Sequence, residues 1–86
     1  MSINQSDDDI VGLDIAGFIE AEKVIEEACE LIHEVCKLKQ FGLNNYHPND
    51  RDQIMNYHRV RSEFRDLSRS FDYLDKTFAR LMEESK

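Results

Sequence analysis

The chain lacks the features that mark disulfide-stapled, sheet-built or membrane-spanning proteins. It has no tryptophan, one proline, three glycines and two cysteines in 86 residues. Pro48 falls in a turn-rich stretch and two of the glycines, Gly12 and Gly42, stand at segment ends, so few breakers interrupt the stretches between them. No apolar run approaches membrane-spanning length, which predicts no membrane partner. No charged-then-apolar signal sequence opens the chain. Basic residues are few. Eleven Lys and Arg against 18 Asp and Glu give a net charge of −7, which argues against nucleic-acid binding through a general basic face. Cys29 and Cys36 are seven positions apart in one helical segment. That is about two turns, too far for a disulfide within the helix. They read as small buried hydrophobes in a reducing compartment, and the cytoplasm is the expected location.

What is present is helical. A hydrophobic content of 41% is too high for a disordered acidic tail. The length suits one small domain with a thin core, so partner subunits are expected. Residues 1–12 read as a flexible acidic arm and 13–86 as a helical domain. A first helix is predicted from Asp14, as N-cap, to about Gln40. Phe18, Ala21, Ile25, Ala28, Ile32 and Val35 form its apolar stripe, widened by Val24, Leu31 and Leu38. Gly42 is expected to stop it in the left-handed conformation. After the Asn44–Asn49 linker, a second helix is predicted from Asp50, with Gln53 in capping-box position. Tyr57, Val60, Phe64, Leu67, Phe71, Leu74, Phe78 and Leu81 alternate steps of three and four, the mark of a long helix buried along one seam. Phe64, Phe71 and Phe78 are assigned to the core. Whether the stretch from Lys76 continues this helix or forms a short third one stays open. Two helices joined by a loop cannot bury such faces alone. The predicted fold is all-α: a helical hairpin assembling into a four-helix bundle as a homodimer or homotetramer.

The chemistry concentrates in two acidic turns. Glu26, Glu27 and Glu30 fall within about 100° on a helical wheel, and Glu63 and Asp66 within about 60°. Acidic runs are usually solvated helix faces. Like charges at this spacing are nevertheless destabilising without a cation, and a carboxylate-only donor set matches a hard ion such as Mg²⁺, with Mn²⁺ as the other candidate.

Other polar residues have plainer readings. His33 and His58 suit surface or hydrogen-bonded structural roles, and His47 precedes Pro48 in a turn. Asn45 and Tyr46 are candidates to read a nucleobase, against the alternative of a solvated loop. Arg59, Arg61, Arg65 and Arg69 form a basic strip suited to salt bridges with acidic helices, and less often to phosphate.

Glu26-Glu27-Ala28-Cys29-Glu30 followed by Glu63-Phe64-Arg65-Asp66 resembles the paired Glu-Glu-x-x-Glu and Glu-x-x-Asp motifs of the MazG-like nucleoside triphosphate pyrophosphohydrolases. Lys37, Phe41-Gly42, the His47-Pro48 loop and Asp72-Tyr73-Leu74 extend the likeness across residues 18–75. The resemblance implies Mg²⁺-dependent hydrolysis of a (deoxy)nucleoside triphosphate to monophosphate and pyrophosphate, in a bacterial cell or phage-infected host. It implies Glu27, Glu30, Glu63 and Asp66 as metal ligands and Glu26 as the group that orients or deprotonates water. Lys37 would act on phosphate, and Asn45 and Tyr46 on the substrate. Two other readings stand beside it. One is a non-catalytic helical adaptor or inhibitor that presents an acidic face. The other is a relative that binds a nucleotide without cleaving it, a possibility raised by Arg65 within the second motif.

Overall fold

The carboxylate of Asp14 accepts a hydrogen bond from the backbone N–H of Gly17 at 2.8 Å, and this cap starts the first helix, α1, Ile15–Phe41. A computed structural model describes residues 11–45 and 54–85. Gly42 ends α1 with its N–H donating to the carbonyl of Leu38. Its φ of 89° is the positive value that favours glycine, but ψ is 173°. The chain therefore leaves the helix extended and does not enter the left-handed helical well expected from sequence.

The second helix, α2, spans Asn56–Glu84. Its start lies later than the Asp50 expected from the capping pattern; Asp50 and Gln53 themselves fall outside the described residues. The N–H groups of Asn56 and Tyr57 donate to the carbonyls of Asn45 and Leu43, at 2.7 and 3.3 Å. Those donors tie the beginning of α2 to the start of the loop, just past the end of α1, and Ile54 and Met55 stay outside the helix. No side chain caps this end. Asn56 does the joining instead. It is 3% exposed, and its Nδ2 donates to the carbonyl of Gly42 at 3.0 Å. At the far end α2 continues through Lys76 to Glu84 as one helix.

The two helices run antiparallel. Arg80 near the end of α2 reaches Asp14 at the start of α1, at 2.7 Å. Gly17 is buried there, and a Cβ on it would come within 3.1 Å of Thr77 Cγ2. A glycine lets the helices approach closely where a larger residue would not. Among the described residues there are two helices and no strand, and no helix is long and apolar enough to cross a membrane.

The hairpin is 53 × 29 × 16 Å, one layer of helices thick. One layer cannot enclose a core. Among the described residues, Leu74 is the one buried hydrophobic side chain. The other buried contacts between the helices include Glu27, Asn56, Ser70 and Thr77. Phe64, Phe71 and Phe78, expected in the core, are 60%, 47% and 40% exposed. Within this chain the side of α2 that meets α1 is spent on Asn56, Ser70, Leu74 and Thr77, which turns the phenylalanines outward. Phe71 and Phe78 pack edge-to-face on that outer side, ring centres 6.4 Å apart. Phe18, Ile25, Ile32 and Phe41 are likewise exposed on α1. Cys29 and Cys36 are free thiols, as their spacing required, but they are exposed and not buried. With a single neighbour, α1 covers only one side of itself.

Candidate metal centre

Glu20, Glu27 and Glu34 recur every seventh residue along α1 and so stack on one side of it, two turns apart. Each meets a different environment. Glu20 accepts a hydrogen bond from the hydroxyl of Thr77. Glu34 pairs with Lys37 within α1 at 3.4 Å, and its other oxygen is buried without a hydrogen-bond partner. Glu27, in the middle, faces acids from the opposite helix. Carboxylate oxygens of Glu27, Glu63 and Asp66 lie within 4.8 Å of one another. Glu27 is buried, while Glu63 and Asp66 are half-buried.

Such a cluster is costly to fold. Burial, and then the neighbouring carboxyls of Glu30, Glu27 and Asp66, push the acid of Glu63 up to about 6. Its Oε2 is buried and receives no hydrogen bond. A hydrogen bond between Glu63 and Glu30 requires a proton on one of them. Lys23 relieves part of the charge, with its ammonium 3.2 Å from Glu27. The Arg69 guanidinium lies 3.7 Å from Asp66. Both cations are mostly exposed, and surface pairs of this kind offset little.

The donor set is oxygen only, convergent and partly dehydrated. Those are the properties of a site for a hard divalent cation held by a few carboxylates, with positions left for water or phosphate. Glu27, Glu63 and Asp66 are, among the described residues, the carboxylates whose oxygens lie close enough together to hold such an ion, and Glu63 Oε2 has no other partner.

The expected site residues divide accordingly. Glu27, Glu63 and Asp66 come together across the two helices, and Glu30 borders Glu63 from an exposed position one turn along α1. Glu26 is exposed and lies outside this group, close enough to Lys23 to help hold its proton. Lys37 is not brought to the cluster. Its ammonium sits on Glu34, and its backbone lies about 10 Å along the helix from Glu30. Asn45 is exposed in the loop, where its carbonyl anchors Asn56. Tyr46 and His47 lie outside the described residues. His33 is exposed, and His58 packs against the ring of Tyr57 at 3.9 Å.

A groove of about 530 Å³ adjoins the cluster, with Glu27 and Asp66 in its wall and Lys23, Arg69, Ser70 and Tyr73 beside them. Sequence reading placed only Arg69 among these as a charged candidate. Lys23 carries a signal that was available, since it stands four residues before Glu27, the spacing of a helical ion pair. Tyr73 stands seven residues after Asp66, hence two turns along the same side of α2. A second groove, of about 630 Å³, lies among Leu31, Val35, Val60 and Phe64, with Arg61, Arg65 and Ser68 at its edge.

No protein-family model matches this chain, and no curated protein or solved structure does either.

Proposed function

We propose that the chain is a Mg²⁺-dependent nucleoside triphosphate pyrophosphohydrolase of the MazG-like type, active as a homo-oligomer. The observation that carries this reading is the meeting of Glu27 with Glu63 and Asp66, with Glu30 against Glu63. Three carboxylates from two separated motifs converge, and a fourth, Glu30, borders them at Glu63. Glu27, Glu30, Glu63 and Asp66 would hold the ion, which when bound neutralises the triphosphate and acidifies a water molecule. The reaction adds that water across a phosphoanhydride bond, giving nucleoside monophosphate and pyrophosphate. Glu26 is the carboxylate of its turn that is not spent in the cluster, and it serves as the base that takes the proton from the water.

Oligomerisation belongs to the same reading. Phe18, Ile25 and Ile32 on α1, and Phe64, Phe71 and Phe78 on α2, repeat every seventh residue and lie exposed. A second hairpin laid over this face completes a four-helix bundle and supplies the core that one chain lacks. The exposed face also suits the second reading, a non-catalytic helical adaptor, because an adaptor needs only that face.

The test is pyrophosphate release from a panel of ribo- and deoxynucleoside triphosphates, with Mg²⁺ and with chelator. Metal-dependent release that disappears in Glu30→Gln and Asp66→Asn, with helicity intact, is the expected result. A well-folded oligomer that releases nothing and gains no stability from Mg²⁺ would favour the adaptor.

A further inference from the structure

The groove beside the carboxylates has a composition that the rest of this acidic chain does not prepare for. Lys23 from α1 and Arg69 from α2 stand on its rim, one cation from each helix. Each is paired with a carboxylate of the cluster, Lys23 with Glu27 and Arg69 with Asp66. Their side chains are 59% and 63% exposed, so these pairs hold them only loosely and their long stems can re-aim. Farther along stand Tyr73 and Ile19, both exposed and both in the groove wall. Tyr73 is about 10 Å from Asp66 along the helix axis. The groove therefore runs from the carboxylate cluster with its two cations to an end lined by Tyr73, Ile19 and Glu20, whose carboxylate accepts from Thr77, and its volume lies within the ~300–1,000 Å³ of small-molecule sites.

We infer that this groove is the nucleotide subsite, with Lys23 and Arg69 binding the phosphate chain and Tyr73 stacking on the base. The inference rests on the pyrophosphohydrolase reading and adds residues to it that the acidic motifs do not contain. Arg69 offers a planar fork to non-bridging phosphate oxygens, and Lys23 offers a point charge. Were Glu27 and Asp66 to hold a divalent ion, Lys23 and Arg69 would be released from them and would be free to bind the anion that accompanies the metal. The phenol ring of Tyr73 gives a stacking platform that tolerates any base, backed by the aliphatic Ile19. The placement of the cations orders the ligand: phosphates at Lys23 and Arg69 beside the cluster, base at Tyr73.

The test is calorimetric binding to the full chain in Mg²⁺ with two probes, an α,β-methylene deoxynucleoside triphosphate and inorganic tripolyphosphate. Pyrophosphate release is measured in parallel. The Lys23→Gln/Arg69→Gln pair is expected to weaken both probes by about tenfold or more, the scale of two lost charge-assisted contacts. Tyr73→Ala is expected to weaken the nucleotide by about tenfold, the scale of one lost stack, and to leave tripolyphosphate within about twofold. Arg69→Lys and Tyr73→Phe should retain most of the binding, and circular dichroism confirms that each variant is folded. Wild-type affinity for both probes in every folded variant, from a protein that releases pyrophosphate, overturns the groove and leaves the enzyme reading standing. A wild-type chain that neither binds the probes nor releases pyrophosphate overturns both.

Discussion

The carboxyl group of Glu63 on α2 neighbours that of Glu30 on α1, close enough for the two to share a proton when one of them is protonated. Glu63 is pushed up to about 6 by burial first, then by Glu30, Glu27 and Asp66, from an ordinary value of 4.5. A folded-state value above the unfolded one means that the folded chain holds this proton more tightly. The stability it contributes is fully present below about 4.5 and is lost as pH rises through about 6. The metal-free protein is therefore expected to melt at a higher temperature at pH 5 than at pH 7. Asp14, held below its usual range by the Gly17 N–H and by Arg80, titrates at lower pH with the opposite sign and leaves this window to Glu63. Thermal melts across pH 4.5–7.5 check it. Glu63→Gln should raise the pH 7 midpoint and flatten the slope; an unchanged slope would remove Glu63 as its source.

A divalent ion should do at pH 7 what the proton does at pH 5. On the proposed reading, Mg²⁺ would bind the ionised carboxylates of the folded chain and not the dispersed ones of the unfolded chain, and so would stabilise by linkage. The melting midpoint is expected to climb with Mg²⁺ concentration in the wild type and to climb much less in Asp66→Asn. An equal rise in both proteins would mean general screening of an acidic chain.

The exposed phenylalanines predict association. Phe71→Glu places a charge in the middle of the apolar face beside Phe78. Sedimentation velocity should show a shift from the oligomer toward a single chain, with lost helicity, because one hairpin buries little apolar surface. An oligomer of unchanged mass would locate the subunit contact elsewhere.

Asn56 is the joint of the hairpin. Its Nδ2 satisfies the carbonyl of Gly42 in a buried position. Asn56→Ala leaves that carbonyl without its partner and is expected to cost about 1–2 kcal/mol in urea unfolding, with the oligomeric state retained.

Gly17 sets the approach of the helices at their other end. Gly17→Ala gains helix propensity but drives a methyl to 3.1 Å from Thr77 Cγ2, on a stiff β-branched side chain. A net loss of about 1 kcal/mol is expected. In a Thr77→Ser background, which removes that methyl, the loss should shrink but not vanish, because Leu13 Cδ2 at 3.1 Å and the capping Asp14 Oδ1 at 3.2 Å still crowd the new methyl.

Much of this chain is written locally. The cap at Asp14 and the length of α1 follow from a short-range hydrogen bond and an unbroken run of helix formers, and both were legible in the residues. The positive φ at Gly42 follows from what a glycine permits, although the ψ that sends the chain outward depends on where α2 must begin. That beginning was not legible, because Asn56 and Tyr57 start α2 by donating to Asn45 and Leu43, contacts made across a loop and invisible to any cap pattern. The spacing of Glu27 with Glu30, and of Glu63 with Asp66, puts carboxylates on common helix sides by geometry alone.

Only the packing decided which sides meet. The antiparallel pairing brings Glu27 to Glu63 and Asp66, leaves Lys37 on Glu34, and carries Lys23, Arg69 and Tyr73 into one groove. It also turns Phe64, Phe71 and Phe78 outward. Periodicity records that a helix has an apolar side, because burial anywhere rewards the same residues. It does not record which neighbour covers that side, because hydrophobic burial carries no address. The sequence by itself determined the two helices and the two acidic turns; their convergence into one partly dehydrated cluster was decided by tertiary contact, where like charges are forced together by the packing of everything around them.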